Sequence, residues 1–306
     1  MKPIDLARLV LLSAIWGSSF LLMRIVVPGT GIVTTTFLRE GLGASGLALV
    51  LLFARLPWRF DGKLHLAMLL GVLNSAVPFL LYSVAAEVLP SGYSAIINAT
   101  TPMMGIVIGA MFFAERVTPA KSLGVVVGLC GVGVLTQRGP VTFGWQELQG
   151  VVACLLAVAC YGFSGFLTQR WIAGRGGLDN RLLAFGSQFG AVVVLVPLFG
   201  YQAFLHAAHL PSEPGTWLAI AALGFGCSTL AYLLYFRLIA DIGPLRSMSV
   251  TFLVPLFGVV FGAIFLHERL TLAHLTGGLL IAVALYLVLV PSRSSAVRVR
   301  ASLPSR

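Results

Sequence analysis

Long apolar runs recur along the whole chain, separated by short polar connections. Runs of about 18 or more apolar residues are typical of transmembrane helices, because one span of the bilayer needs about 20 residues. The pattern predicts ten such helices, at roughly 6–27, 32–53, 64–86, 92–113, 119–136, 148–169, 182–199, 216–239, 245–266 and 272–290. We therefore predict an all-α integral membrane protein with ten transmembrane helices, surrounded by the lipid bilayer.

The composition supports this interpretation. Hydrophobic residues make up 58% of the 306 residues and charged residues only 10%, whereas soluble chains carry about 25% charged residues. Ten spans of about 20 residues each leave only short connections and tails. The chain therefore has no room for an additional water-soluble domain.

The distribution of positive charge predicts the orientation of the helices. A net charge of +10 would suggest nucleic acid as a partner of a soluble protein, but 16 of the 20 Lys and Arg residues lie in tails or connections on the side of the termini. Arg24, Arg138 and Arg269 lie on the opposite side, and Arg39 lies within the second span. Cytoplasmic loops are enriched in Lys and Arg. We expect both termini to be cytoplasmic and no nucleic-acid partner.

The chain contains an internal repeat with an offset of 153 residues. Eleven of the 23 residues from Pro102 to Gly124 recur between Pro255 and Gly277, including both Glu-Arg pairs, and Tyr82 recurs as Tyr235. We interpret this as two copies of a five-helix unit, inverted relative to each other because five is odd. Such inverted repeats are typical of transporters with a binding site near the membrane midplane. The predicted divisions are a first repeat at 6–136, an outer linker at 137–147, a second repeat at 148–290 and a basic cytoplasmic tail at 291–306.

Several short motifs resemble those of a known family. They are Trp16-Gly17-Ser18-Ser19-Phe20 in the first span, Phe37-Leu38-Arg39 in the second, Pro102 in the fourth, and Glu115-Arg116 followed by Gly124 and Gly128. Over roughly residues 6–290 the chain resembles the EamA-like proteins of the drug/metabolite transporter superfamily. The resemblance implies two five-helix domains, a plasma-membrane location, and export of amino acids, metabolites or drugs. The second copy has Tyr161-Gly162-Phe163-Ser164 and no match for Arg39, so we expect an asymmetric site.

Three charged residues in or near the spans are candidates for function. Arg39 follows Ile32 by seven residues, which places it roughly 10 Å into a hydrocarbon core about 30 Å thick. A charge at this depth is costly unless it faces a polar cavity or a partner. Arg39 therefore either contacts an anion or forms part of a gate, or else it extends to the outer membrane interface or pairs with another helix. Glu40 is a candidate for proton coupling, and so is Glu87 at the outer end of the third span, although a loop-facing role remains open for Glu87.

Polar and aromatic residues inside the spans predict a cavity. An unpaired amide in hydrocarbon costs several kcal/mol, and interfacial anchoring would place rings at the helix ends. Interhelical bonding of the amides and ordinary packing of the rings are the alternatives. We predict a cavity between the copies, lined by Trp16, Ser19, Arg39, Asn74, Tyr82, Asn98, Tyr161, Tyr232 and Tyr235.

Paired prolines and paired charges mark both copies. Pro102 and Pro255 lie within their spans and are hinge candidates, because proline removes a backbone hydrogen bond and kinks a helix. Glu115-Arg116 and Glu268-Arg269 lie at span ends, where charge pairing at the helix end is the favoured interpretation.

The usual signals of an enzyme are missing from the sequence. It contains no HExxH, P-loop or GxSxG motif, its four cysteines lack CxxC spacing, and His206 and His209 have no clear third ligand. We expect neither a cofactor nor a metal. Without a nucleotide motif, transport must draw on an ion gradient or on the gradient of the substrate itself.

The combined pattern predicts a secondary exporter of small amphipathic metabolites, with amino acids or related carboxylates as the favoured cargo. A multidrug exporter of lipophilic cations is the alternative, although Arg39 would repel such cargo unless Glu40 faced the cavity in its place. An intramembrane enzyme or a non-transporting scaffold is the rival class. The sequence leaves proton coupling and the choice between a monomer and a homodimer open.

Overall fold

The computed structural model describes residues 2–115, 117–138, 144–205, 208–242, 247 and 250–289, and these residues form helices and no strand. The first half contains α1 (Pro3–Thr30), α2 (Ile32–Phe53), α3 (Leu64–Gly71), a π-helical segment (Val72–Ala76), α4 (Val77–Val88), α5 (Ser91–Asn98), α6 (Thr101–Phe112) and α7 (Pro119–Arg138). The second half contains α8 (Trp145–Trp171), a short 3-10 turn (Ala173–Arg175), α9 (Asn180–Phe204), α10 (Pro214–Ala221), a second π-helical segment (Ala222–Leu230), α11 (Ala231–Ile242), α12 (Val250–Phe265) and α13 (Leu272–Leu289).

The helices group into the segments that the hydrophobic pattern predicts. Six segments are long and apolar enough to cross a membrane, α5 and α6 form a seventh that is bent by 43°, and three shorter apolar helices lie at 119–135, 253–265 and 272–287. The protein is an all-α, multi-pass membrane protein.

Successive segments run in opposite directions, so the bundle has two ends. We call the end with Pro3 and Ile242 the Pro3 end, and there Arg8 Nη1 donates to Asp241 Oδ2 at 2.7 Å, joining α1 to α11. We call the opposite end the Thr30 end, and there Arg24 Nη1 donates to the carbonyl of Ala86 at 2.5 Å, joining α1 to α4.

The two halves interlock. Contacts of α7 with α13, of α1 with α12 and of α4 with α8 all cross from the first half to the second. Within the bundle, α3 and α9 approach so closely that a Cβ at Gly71 would clash with the carbonyl oxygen of Ser187. Small residues allow such backbone approach between membrane helices. This interlocking creates the space in which the cavity lies.

The two prolines differ in their surroundings. The backbone bends by 43° between α5 and α6, directly before Pro102 in the first turn of α6. Pro255 lies inside α12, which is continuous around it. Pro102 thus starts a helix, where its missing N–H needs no partner, and the role of the two prolines as hinges remains a prediction. Arg116, His206, the tail 291–306 and much of the linker 137–147 lie outside the described residues.

Candidate functional site

A cavity of about 490 Å³ lies between the two halves. This volume falls within the range of small-molecule sites, about 300–1,000 Å³. The structure places all nine of the predicted lining residues on its wall. The wall also includes residues that the sequence analysis did not select: Phe20, Met23, Phe79, Thr101, Ser164, Gly165, Thr168, Cys227, Ser228, Val250, Thr251 and Val254. The role of the nine residues in binding remains a prediction.

Aromatic rings from both halves meet around the cavity. The ring centroids of Trp16 and Tyr235 lie 5.3 Å apart, and those of Tyr82 and Tyr161 lie 6.3 Å apart. The Tyr82 hydroxyl donates to Asn98 Oδ1 at 2.8 Å. Asn98 therefore both lines the cavity and makes a bond between helices, which combines the two roles that the sequence left open.

Arg39 is the charged residue of this wall. Its guanidinium carbon lies 3.6 Å from the centroid of the Phe79 ring, and its Nη1 donates to Met23 Sδ at 3.2 Å. The side chain is 3% exposed, and Nε has no hydrogen-bond partner among the described residues. A guanidinium has five N–H donors, and a thioether sulfur is only a weak acceptor. The flat face of the guanidinium thus packs against the Phe79 ring, while most of its N–H donors make no hydrogen bond to the described residues.

Glu40 does not lie on the wall, although it is adjacent to Arg39 in sequence. Successive residues of a helix point about 100° apart, and the Glu40 side chain turns into the protein, where it is 0% exposed. Its Oε1 lies 3.9 Å from Arg39 Nε, too far for a hydrogen bond. Neither carboxylate oxygen has a hydrogen-bond partner among the described residues. Glu87, the other coupling candidate, is exposed in the last turn of α4 and away from the wall.

Two π-helical segments form part of the wall, and they were not predicted from the sequence. Asn74 lies in the first, and Cys227 and Ser228 lie in the second. Each π segment interrupts a span at a related place in its half of the chain, and π turns re-aim side chains, often at functional sites. Clusters of Asn, Ser and Thr at matching positions of the two copies are the signal that could have indicated them.

The cavity extends toward the Pro3 end of the bundle. Its wall reaches Thr168, three residues or about 5 Å from the end of α8, whereas Arg39 lies about 10 Å from the Thr30 end. At the Thr30 end, Glu268 Oε1 accepts a bond from the Ser91 backbone N–H at 2.7 Å, and Glu268 Oε2 accepts one from Ser91 Oγ at 3.0 Å. These bonds tie the turn after α12 to the start of α5. Because the wall residue Arg39 lies about 10 Å inside the Thr30 end and these bonds lie at that end, we call the Thr30 end the closed end of the cavity.

The sequence matches the model of the EamA-like transporter family over residues 6–137 and 148–290. The chain belongs to this family. It is 26% identical to the "Uncharacterized transporter YvbV" of Bacillus subtilis, over 96% of this chain and 95% of that protein. It is 25% identical to the "Probable terminal-alkyne amino-acid exporter" of Streptantibioticus cattleyicolor, over 97% of each chain. It is 23% identical to the "Probable amino-acid metabolite efflux pump" of Escherichia coli K12, over 65% of this chain and 67% of that one.

A solved structure has the same fold. It is described as "Crystal structure of protein", and it aligns with a TM-score of 0.62 and 16% identity over 99% of this chain and 100% of its own. Membership of the EamA-like family, with relatives named as transporters, supports a transporter over an enzyme. Among the described residues, no group of three or more His, Cys, Asp or Glu side chains could hold a metal ion.

Proposed function

We propose that this EamA-like protein is a secondary exporter of small amphipathic solutes that bear a carboxylate, with amino acids or related carboxylates as cargo. It works by alternating access between the two halves. One observation carries the proposal: among the described residues of the cavity wall, Arg39 is the only charged one, and aromatic rings line the same wall.

The chemistry of the wall suits an amino acid. A guanidinium matches the two oxygens of a carboxylate through parallel N–H bonds, and the Arg39 donors are largely unused. Aromatic faces bind apolar groups and also attract an ammonium group, so the rings of Trp16 and Tyr235 complement the rest of the molecule. The names of two relatives refer to amino acids or their metabolites, which supports the same class of cargo.

The position of Glu40 weighs against the alternative of lipophilic cations. That alternative requires a carboxylate on the wall, where it would attract the cargo. Glu40 is buried behind the wall, and Arg39, which would repel a cation, lies on it. The carboxylate-bearing cargo is therefore the better match.

The orientation in the membrane completes the proposal. With most Lys and Arg residues on its side, the Pro3 end is cytoplasmic, and the cavity then opens toward the cytoplasm, where an exporter loads its cargo. Protease protection of tags fused to both ends of the chain, in intact cells, tests this orientation for the plasma membrane. Cleavage of either tag from outside would contradict it.

Transport by the purified full chain in proteoliposomes tests the function. We expect L-phenylalanine to move, and phenethylamine, which lacks the carboxylate, to move poorly. Arg39→Gln should lower the initial rate about tenfold or more, since a bond to a charged group contributes about 1.5–3 kcal/mol. Arg24→Gln is the matched control, because Arg24 lies in the same bundle but not on the wall.

Two results would contradict the proposal in different ways. If tetraphenylphosphonium moves, amino acids do not, and Arg39→Gln raises the tetraphenylphosphonium rate, the drug-exporter alternative is correct. If none of the twenty amino acids, no simple carboxylate and no lipophilic cation moves, the protein is a scaffold or an enzyme.

A further inference from the structure

The two hydrogen-bonding edges of the Arg39 guanidinium have different surroundings. A guanidinium offers a carboxylate either a side pair of N–H groups, from Nε and Nη2, or an end pair, from Nη1 and Nη2. Arg39 Nε is buried, and it lies 3.9 Å from Oε1 of Glu40, which is not on the cavity wall. A substrate in the cavity therefore meets the end pair and not the side pair.

One member of the end pair already has an acceptor. Arg39 Nη1 donates to Met23 Sδ at 3.2 Å. Met23 lies on α1, is 2% exposed and belongs to the cavity wall. A carboxylate that binds both N–H groups of the end pair must therefore replace the Met23 sulfur as the acceptor of Nη1.

The ring of Phe79, on α4, restrains the plane of the same guanidinium. The guanidinium carbon lies 3.6 Å from the ring centroid, so the ring covers one of its flat faces. The attraction between a cation and an aromatic face is larger where water is excluded, and the Arg39 side chain is almost completely buried. A tilt away from the ring would lose this contact. The ring thus favours a guanidinium plane that stays the same while Nη1 changes its acceptor.

A thioether is suited to a hydrogen bond that has to be exchanged. Its sulfur is a weak acceptor, whereas the bonds between a guanidinium and a carboxylate are charge-assisted and about twice as strong as neutral ones. An amide oxygen at the position of the Met23 sulfur would hold Nη1 more firmly against the incoming carboxylate. The sulfur therefore gives Nη1 a partner in the empty cavity and competes only weakly with the substrate.

We propose that Met23 is a positioning residue for the substrate carboxylate: its sulfur holds Arg39 Nη1 in the empty cavity and releases it to the carboxylate on binding. The inference rests on the proposed function, because it takes a carboxylate-bearing substrate as given. No covalent bond forms or breaks, and one hydrogen bond of Nη1 changes its acceptor from sulfur to oxygen. The affinity for the substrate therefore falls as the side chain at position 23 becomes a stronger acceptor.

Transport by the full chain in proteoliposomes tests this dependence. L-Phenylalanine is the probe, and the other proteinogenic amino acids are tried in turn. Met23→Gln supplies a strong acceptor on a side chain of similar length, and it should raise the half-saturation concentration about tenfold with little change in the maximal rate. Met23→Leu removes the acceptor with little change in volume, and its half-saturation concentration should stay within about threefold of the wild-type value. Met103→Gln is the matched control, because Met103 is a buried methionine of α6 that does not lie on the wall.

A second measurement uses the wild-type chain and does not depend on the activity of a variant. The methionine methyl groups are isotopically labelled and observed by NMR in detergent, and the Met23 signal is assigned by its absence from Met23→Leu. We expect L-phenylalanine to shift this signal in a saturable way, because the sulfur loses its hydrogen bond to Nη1. Phenethylamine, which lacks the carboxylate, should not shift it, and the Met103 signal should stay in place.

The outcomes separate this inference from the proposed function. If Arg39-dependent transport is present but Met23→Gln stays within about threefold of the wild-type half-saturation concentration, the role of Met23 is overturned and the proposed function stands. An equal rise in Met23→Gln and Met23→Leu also overturns it, since packing alone would then explain both. So does a Met23 signal that a transported amino acid leaves unchanged. If no amino acid moves or shifts the signal, the proposed function fails and this inference fails with it.

Discussion

Two turns of the molecule have the same backbone and different side-chain contacts. In the turn after α6, Ala114 has φ of 53° and the Glu115 N–H donates to the carbonyl of Gly109 at 3.0 Å. In the turn after α12, 153 residues later, His267 has φ of 55° and the Glu268 N–H donates to the carbonyl of Gly262 at 3.1 Å. The repeat in sequence thus reproduces an unusual local conformation, a positive φ that residues other than glycine rarely adopt.

The two glutamates nevertheless differ. Glu268 lies at the Thr30 end and accepts bonds from the N–H and hydroxyl groups of Ser91, the first residue of α5. Glu115 lies at the Pro3 end and is exposed; the residues at 244–245, which correspond to 91–92, lie outside the described residues. Glu268 is engaged at the closed end of the cavity, and Glu115 is exposed at the end toward which the cavity extends. Alternating access predicts such a difference in any one state.

The largest effect is expected from removing the engaged glutamate. Glu268→Ala leaves the Ser91 donors without their acceptor, and each bond to a charged group contributes about 1.5–3 kcal/mol. We expect a cysteine at Ala95, buried in α5, to react at least about ten times faster with a membrane-impermeant thiol reagent added at the Thr30 face. The native cysteines are replaced beforehand. Glu115→Ala is the matched control, and equal acceleration by both variants would show that the two turns do not differ in function.

A smaller effect is expected from a paired glycine substitution. A Cβ at Gly258 would clash with Ala95 Cβ, whereas a Cβ at Gly105, the equivalent position in the first copy, meets no described atom within 4 Å. Overpacking costs about 1–3 kcal/mol. Gly258→Ala should lower the melting midpoint in detergent by several degrees, as measured with a dye that reacts with the buried thiols of Cys154 and Cys227. A drop of the same size for Gly105→Ala would mean that the two equivalent positions are packed equally tightly.

The smallest effect is expected from Ser91→Ala, because it removes the hydroxyl donor and retains the backbone donor. A bond to a charged group contributes about 1.5–3 kcal/mol, so Ser91→Ala should raise the labelling rate about tenfold, and Glu268→Ala, which removes both bonds, should raise it further. Combined with Glu268→Ala, the second substitution should add almost nothing, since the partners act through one contact. Full additivity in this double-mutant cycle would contradict a direct bond between the two residues.

The fold was largely predictable because length and hydropathy determine where a helix crosses a bilayer. The deep aromatic and amide residues were predictable as a cavity wall for the same physical reason, since lipid-facing positions are usually aliphatic. The partners of Arg39 were not, because Phe79 and Met23 lie on other helices at large sequence separations. Their contact depends on how each helix is rotated about its own axis, and this rotation cannot be inferred from a single sequence.

Other features depend on tertiary packing. Asn74 and Ser228 lie in π segments, and only the matching clusters of Asn, Ser and Thr in the two copies could have indicated these segments. Glu268 was interpreted as part of a charge pair at a helix end. In the structure it caps α5 of the other half, a contact between residues 177 positions apart. That Arg39 lies on the cavity wall and Glu40 does not could be inferred only from helix geometry, which places adjacent residues about 100° apart.

The most direct test is the accessibility of one cavity residue from both faces of the membrane. Ser19→Cys is nearly isosteric and lies on the wall, so it reports the cavity with little disturbance. In sealed vesicles we expect an impermeant thiol reagent to label it from the Pro3 face in the wild type, and from the Thr30 face as well once Glu268→Ala releases the closed end. Labelling from the Pro3 face alone in both proteins would contradict alternating access and indicate a pocket that opens on one side only.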